Sequence, residues 1–177
     1  MRSRRLVVLL GAGVAACPLL AQENPGLGVE ISPEDLAPWD ISIEADGTGL
    51  PPGSGNVSAG EAIFTAQCLA CHGKEGEGRP NDRLVGGQGT LSDLNPVRTI
   101  GSYWPYATTV FDYIRRAMPY TAPKSLNDDQ VYALTAYLLY LNGIIDEDDV
   151  MDAQSLAKVR MPNRDGFILA YPKRESD

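Results

Sequence analysis

Cys68-Leu69-Ala70-Cys71-His72 constrains this chain more than any other stretch, because His72 is the only histidine among its 177 residues. Two thiols three positions apart stand one helical turn from each other, and the next residue offers an imidazole. In an exported protein that run is the attachment sequence for a c-type haem. Each thiol adds across one vinyl group of the porphyrin, and the imidazole takes an axial position under the iron. A redox dithiol has no use for the histidine, and a zinc site needs more ligands than one histidine and the distant Cys17 supply. Cys68, Cys71 and His72 are therefore the first candidates for binding a cofactor, and His72 the first for binding its metal.

The solitary histidine also sets what the chain cannot be. No Ser-His-Asp or Cys-His catalytic arrangement can form beyond His72 itself, and an imidazole bound to iron cannot also act as a general base. Two-histidine iron or zinc sites are excluded, and so is bis-histidine haem ligation within one chain. The sixth ligand must then be a methionine, something unusual or nothing. Apart from Met1 the candidates are Met118, Met151 and Met161. Met118 comes first, since it lies between a short helix and the last long one, with Pro119 stiffening the loop that would carry it round to the face opposite His72. Met161 also precedes a proline but falls beyond the long helix, and Met151, among apolar neighbours, reads as packing. An axial thioether raises the reduction potential and closes the iron to small molecules, which suits electron transfer better than oxygen or peroxide chemistry. Trp104 could aim its N–H at a propionate while its ring packs on the porphyrin, with Tyr103 and Tyr106 as weaker candidates. Arg98 could pair with a propionate. Ordinary loop anchoring is the competing reading for these side chains.

Arg2, Arg4 and Arg5 precede an apolar run from Leu6 to Ala16, with small residues before Gln22. This is the layout of a secretory signal, too short for a membrane span, and it predicts removal of residues 1–21. Val14-Ala15-Ala16-Cys17 also resembles a lipoprotein cleavage box, which would leave Cys17 lipidated and the protein tethered to a membrane. Both routes imply a periplasmic protein, since c-type haem is attached there in bacteria. Loss of the three signal arginines leaves 12 Lys+Arg against 23 Asp+Glu. That balance argues against nucleic acid as a partner and suits a basic redox partner steered electrostatically.

Residues 22–56 read as an extended N-terminal segment and a candidate partner-binding region. Ser32-Pro33-Glu34-Asp35 is a helix start good for a turn or two. Gly47 to Gly55 is a run of breakers expected to be neither helix nor strand. Leu36, Trp39, Ile41 and Ile43 imply packing, either on this domain or on a partner. Ser58-Ala59-Gly60-Glu61 is a capping box that opens a helix through Ile63 and Phe64 into Cys68. Residues 73–107 form a glycine-rich loop able to wrap a flat cofactor. Thr108 to Ala117 is predicted as a short helix with Arg115-Arg116 at its C-terminal end, where cations suit the dipole, and Met118-Pro119 stops it. Asn127-Asp128-Asp129-Gln130 caps the clearest helix, with Val131, Leu134, Leu138 and Leu141 on one face and Asn142-Gly143 closing it. Residues 144–177 form a C-terminal extension in which Asp146-Glu147-Asp148-Asp149 reads as a solvated helix start.

Over residues 57–143 these features resemble a class I cytochrome c: a capped helix into the C-x-x-C-H run, a glycine-rich loop, Met118-Pro119, and a terminal helix with Tyr137. The resemblance implies an all-α class I cytochrome c fold around one covalently attached haem c, with irregular N- and C-terminal extensions. It also implies that the first and last helices cross near a glycine and aromatic residues, for which Gly60, Phe64 and Tyr137 are placed. A narrower similarity is to the SoxD-type cytochrome subunit and to single-haem sulfite dehydrogenase subunits. It rests on Trp39-Asp40-Ile41, on Gly47 to Gly55, on Gly101-Ser102-Tyr103-Trp104-Pro105-Tyr106-Ala107-Thr108-Thr109, on Tyr113 to Pro119, and on Met161-Pro162-Asn163-Arg164-Asp165-Gly166-Phe167. This similarity implies a periplasmic complex in which a molybdenum-cofactor subunit oxidises sulfite or sulfane sulfur. The present chain, without catalysis of its own, would pass the electrons to a soluble cytochrome c. Longer members of that type carry a second haem domain, and a single motif here favours the single-haem form. The alternatives are a free-standing periplasmic electron shuttle, the haem subunit of another dehydrogenase, or a ligand-sensing haem with an open sixth site.

Overall fold

Side chains that accept the first free N–H groups of a helix decide where four of the helices begin. The computed structural model describes residues 27–168 and 170–171. The expected signal sequence and Cys17 lie outside the described residues. The chain divides into two units, between Trp39 and Asp40. In the first, the Ser32 hydroxyl accepts from the Asp35 N–H at 3.2 Å and the Asp35 carboxylate accepts from the Ser32 N–H at 3.1 Å. The reciprocal pair fastens the single turn α1 (Pro33–Leu36), and those hydrogen bonds to Ser32 hold the Asp35 carboxyl below its ordinary pKa.

The second unit opens into a short strand, β1 (Ser54–Asn56), which runs straight into α2 (Val57–Gln67). Asn56 caps that helix, its side-chain oxygen accepting from the Ala59 N–H at 2.9 Å. The expected cap at Ser58 is therefore displaced by two residues, and the reason is not local. β1 pairs antiparallel with β2 (Val150–Asp152), Gly55 opposite Met151, so Ser54-Gly55 is strand rather than the irregular run its composition suggested. The helix at Leu69–His72 (α3) follows α2, and α4 (Ala107–Ala117) and α5 (Asp128–Leu141) fall where the sequence placed them. The Asn127–Gln130 box at the start of α5 is closed by two hydrogen bonds of 2.9 Å. The acidic run 146–149 is a turn into β2, with Asp149 accepting from the Asp146 N–H at 2.8 Å, and not a helix start. The helix comes later: Asp152 takes the N–H groups of Gln154 and Ser155, both at 2.8 Å, and opens α6 (Ala153–Leu156). Apart from the two-stranded ladder the frame is all-α with irregular connections, and among the described residues no helix is long and apolar enough to cross a membrane.

The frame is gripped at one residue of α5. A Cβ on Gly60 would stand 2.0 Å from the Ala133 carbonyl oxygen, and one on Gly55 would stand 2.1 Å from the Ala133 nitrogen. α2 and β1 thus close on the same stretch of α5 backbone, an approach only glycine permits. Phe64 and Tyr137 pack beside the crossing with ring centroids 5.4 Å apart, so the expected glycine-and-aromatic crossing is present. α4 lies on α5 through Phe111 and Tyr132, centroids 4.4 Å apart, and through an Arg115–Asp128 ion pair of 3.0 Å. The Tyr132 hydroxyl donates to the Pro51 carbonyl at 2.8 Å; burial, with Asp128 and Asp152 adding to it, pushes its pKa up to about 12. Ile43 and Leu50 pack on this core from one side of the domain, and Met151, Leu156 and Met161 enter it from the tail. Full burial of such a side chain is worth about 1.5–3 kcal/mol, so these apolar residues are covered by their own chain.

Candidate functional site

The N–H of Cys68 closes on the Phe64 carbonyl at 2.8 Å, and the N–H of His72 donates to the Cys68 carbonyl at 3.0 Å. That unbroken turn from α2 into α3 brings Cys68, Cys71 and His72 onto a cleft of about 660 Å³. Both cysteines are free and half-buried. Burial first, and the neighbouring Cys71 second, push the Cys68 thiol up to about 11. It stays protonated at neutral pH, the reverse of the activated thiolate that a redox dithiol uses. His72 Nδ1 lies 2.8 Å from the Asp82 carbonyl oxygen. A carbonyl only accepts, so Nδ1 carries the proton and Nε2 keeps its lone pair for a metal.

Met118 reaches the same cleft from α4. It caps that helix in an extended conformation, φ −118° and ψ 147°, so the chain leaves the helix at this residue and the thioether is half-buried. Met151 and Met161 are buried in the core and do not line the cleft. Trp104 and Arg98 do line it. Trp104 meets Tyr113 edge to face at 5.6 Å, and the Arg98 guanidinium lies 5.6 Å from the Tyr103 ring centre. Tyr103 packs on Phe167 at 5.3 Å and Tyr106 lies under Arg164 at 4.4 Å; neither tyrosine lines the cleft.

Three participants escaped the sequence reading. The Asp82 carbonyl is a backbone group with no side-chain signature. Tyr113 lines the cleft beside Trp104. Asn142, legible only as a helix stop, is buried and joins two elements. Its Nδ2 donates to the carbonyls of Leu138 at 2.8 Å and Leu84 at 3.2 Å. Its Oδ1 accepts from the Gly86 N–H at 3.0 Å, and its carbonyl accepts from Gln88 Nε2 at 3.0 Å. One side chain therefore ties the end of α5 to the glycine-rich loop, and Leu84 of that loop lines the cleft.

These residues fit a haem c. The volume falls within the roughly 300–1,000 Å³ usual for cofactor sites. Phe64, Ile100, Val110, Ile114, Leu134 and Leu138 supply an apolar lining. Two free thiols, an imidazole with an open Nε2 and a thioether supply the groups that could attach the porphyrin and hold its iron. Elsewhere, among the described residues, no group of three or more His, Cys, Asp or Glu could hold a metal ion.

Two helices crossing at a glycine, a C-x-x-C-H turn and a later methionine on one apolar cleft define a class I c-type cytochrome. The family described as cytochrome C oxidase, cbb3-type, subunit III matches residues 55–138. Among solved structures, the sulfane dehydrogenase SoxCD from Paracoccus pantotrophus contains a chain 45% identical to this one. The match covers 85% of this chain and 73% of that one, with a TM-score of 0.77. None of the curated proteins matches the chain. The chain belongs to the class I c-type cytochrome family and resembles its SoxD-type members. It is an electron-transfer domain, and the cofactor of its family is haem c.

Proposed function

We propose that Cys68 and Cys71 hold one haem c through thioether bonds, that His72 and Met118 are its axial ligands, and that Trp104 and Arg98 contact its propionates. We further propose that the chain is the electron-transfer subunit of a periplasmic, molybdenum-dependent sulfite or sulfane dehydrogenase, with residues 57–143 as the haem domain. It would take electrons from the molybdenum subunit and deliver them to a soluble cytochrome c. The observation that carries this reading is that Cys68, Cys71, His72 and Met118 line one apolar cleft in a chain 45% identical to a chain of sulfane dehydrogenase SoxCD.

Haem c supplies an iron that gains and loses one electron. The protein's own groups set the conditions. The Asp82 carbonyl orients the His72 ring and fixes its tautomer. A Met118 thioether held on the iron would favour its reduced state and exclude competing ligands. The apolar lining would keep the dielectric low around the group, and Arg98 would offer a cation to propionate charge. With the single imidazole engaged, substrate oxidation falls to the partner.

A second reading, a free-standing electron shuttle, is favoured by one feature: Ile43 and Leu50 before α2, and Met151, Leu156 and Met161 after α5, pack on this chain's own core. Purification from native cells at low salt separates the two. Co-purifying molybdenum together with rapid haem reduction by sulfite or a sulfane-sulfur substrate supports the dehydrogenase subunit. A molybdenum-free monomer inert to both overturns it in favour of the shuttle.

A further inference from the structure

Two stretches of the N-terminal region share one sequence pattern and differ in what covers them. In the second unit Ile41, Ile43 and Ala45 are half-buried while Ser42 and Glu44 are exposed, and Ile43 packs on the core. Leu27-Gly28-Val29-Glu30-Ile31 repeats that alternation in sequence; Gly28, with φ +81°, bends the chain, and Val29 and Ile31 then share one face of the extended stretch 29–31. Among the described residues these side chains stay exposed: Leu27 is 83% exposed, Val29 88% and Ile31 60%. At the end of the α1 turn Leu36 is 46% exposed, and beyond it Trp39 is 82% exposed. Apolar surface this dense marks an interaction site.

The segment has a defined form. Among the described residues the backbone groups of 27–31 make no hydrogen bond, so the extended stretch 29–31 is free to pair. The Ser32–Asp35 box then sets the turn, and the Trp39 N–H donates to the Leu36 carbonyl at 2.8 Å. An extended stretch, a fixed turn and an aromatic anchor follow one another at set spacing.

Charge narrows the partner. No Lys or Arg occurs between Leu6 and Gly73, while Glu30, Glu34 and Asp35 stand among the apolar residues of the segment. A groove rimmed with Lys and Arg is complementary to it. A second copy of this chain, with a net charge of −8, would meet it with like charge, and so would an anionic lipid surface.

We propose that residues 27–39 are a docking arm for the catalytic subunit of the dehydrogenase. Residues 29–31 add to a sheet edge of that subunit, Val29 and Ile31 fill an apolar groove with a basic rim, Leu27 packs at its end, and Trp39 fills a pocket. Main-chain pairing supplies affinity and the alternate side chains supply specificity. The proposal rests on the reading of this chain as a dehydrogenase subunit.

The test co-produces the full chain with the molybdenum-cofactor subunit of the same organism and measures association at two salt concentrations. Three variants are compared with wild type: Leu27→Ser/Val29→Ser/Ile31→Ser, Trp39→Ala, and Glu30→Lys/Glu34→Lys. All are expected to keep the wild-type haem spectrum and melting temperature. The triple variant should bind at least about tenfold more weakly and Trp39→Ala several-fold more weakly. Charge reversal should weaken binding most at low salt. Amide exchange at residues 27–31 should slow when the complex forms. Wild-type affinity in the triple variant, with exchange at 27–31 unchanged, overturns the arm and leaves the dehydrogenase reading standing. Self-association that the triple variant abolishes makes a second copy the occupant and also overturns it. A wild-type chain that ignores the catalytic subunit overturns both.

Discussion

On the histidine side of the cleft, Cys68, Cys71 and His72 sit in one turn, held by backbone hydrogen bonds to near neighbours and by the Asp82 carbonyl. On the methionine side, Met118 stands where α4 ends, and the next residues in sequence, Tyr120 to Ser125, are exposed until Leu126 re-enters the core. What places Met118 is therefore the seating of α4 on α5, through Phe111, Tyr132 and the Arg115–Asp128 pair. One side is secured by sequence neighbours and the other by tertiary packing. Segments with few buried contacts open first, so the methionine side is the one that should yield to a perturbation.

Removing the two proposed ligands in turn gives the largest contrast. His72→Ala is expected to abolish haem-loaded protein. Met118→Ala should keep the covalent haem, lower the reduction potential and admit carbon monoxide to the reduced iron. Visible spectra and a redox titration read both outcomes, and equal loss of haem in the two variants would erase the distinction. Gly60→Ala comes next. It drives a methyl to 2.0 Å from the Ala133 carbonyl oxygen, and the loss in stability should be about 3 kcal/mol, the upper end for overpacking. The better helix propensity of alanine, about 1 kcal/mol, does not offset it. Thermal melting decides.

Asn142→Ala strands the Gly86 N–H and removes one of the two hydrogen bonds on the Leu84 carbonyl, which keeps the one from the Ile100 N–H, at an expected loss of about 2 kcal/mol. Because Asn142 holds residues 84–88, faster amide exchange should appear in that loop and not around Met118. Tyr132→Phe is the mildest. The ring stays stacked on Phe111, the hydroxyl's bond to Pro51 is lost, and stability at neutral pH should fall by about 1 kcal/mol. The Tyr132 pKa is raised from 10.0 to about 12 in the folded chain. Its contribution is thus complete below pH 10.0 and lost as the pH rises through about 12. Denaturant midpoints followed into alkaline solution should decline less steeply in the variant than in wild type.

The histidine side could be read from the chain because its information is contiguous. The same holds for the Asn127–Gln130 box, the Ser32 turn and the limits of α4, where each signal and its partner lie within a few residues. Errors came where the partner is remote. Ser58 looked like a cap until β2, arriving from residues 150–152, drew Ser54-Gly55-Asn56 into a ladder and moved the cap to Asn56. Asp146 to Asp149 carried the charge of a helix start, but the turn into that same ladder took precedence. Asn142 and the Asp82 carbonyl act across gaps of 58 and 10 residues, and neither has a periodicity to betray it. Counting possible ligands points to Met118 as an expectation, while its seat in the cleft depends on how two helices pack.

The ladder between β1 and β2 has a kinetic meaning as well. It joins residues 54–56 to 150–152, closing a loop around every residue that lines the cleft. The entropy of closing a loop grows only logarithmically with its length, so this union adds little to the equilibrium burden. Contacts so distant in sequence are slow to find each other. The helices around the C-x-x-C-H turn have nearer partners in sequence, so the ladder and the tail behind it are expected to be the last to join.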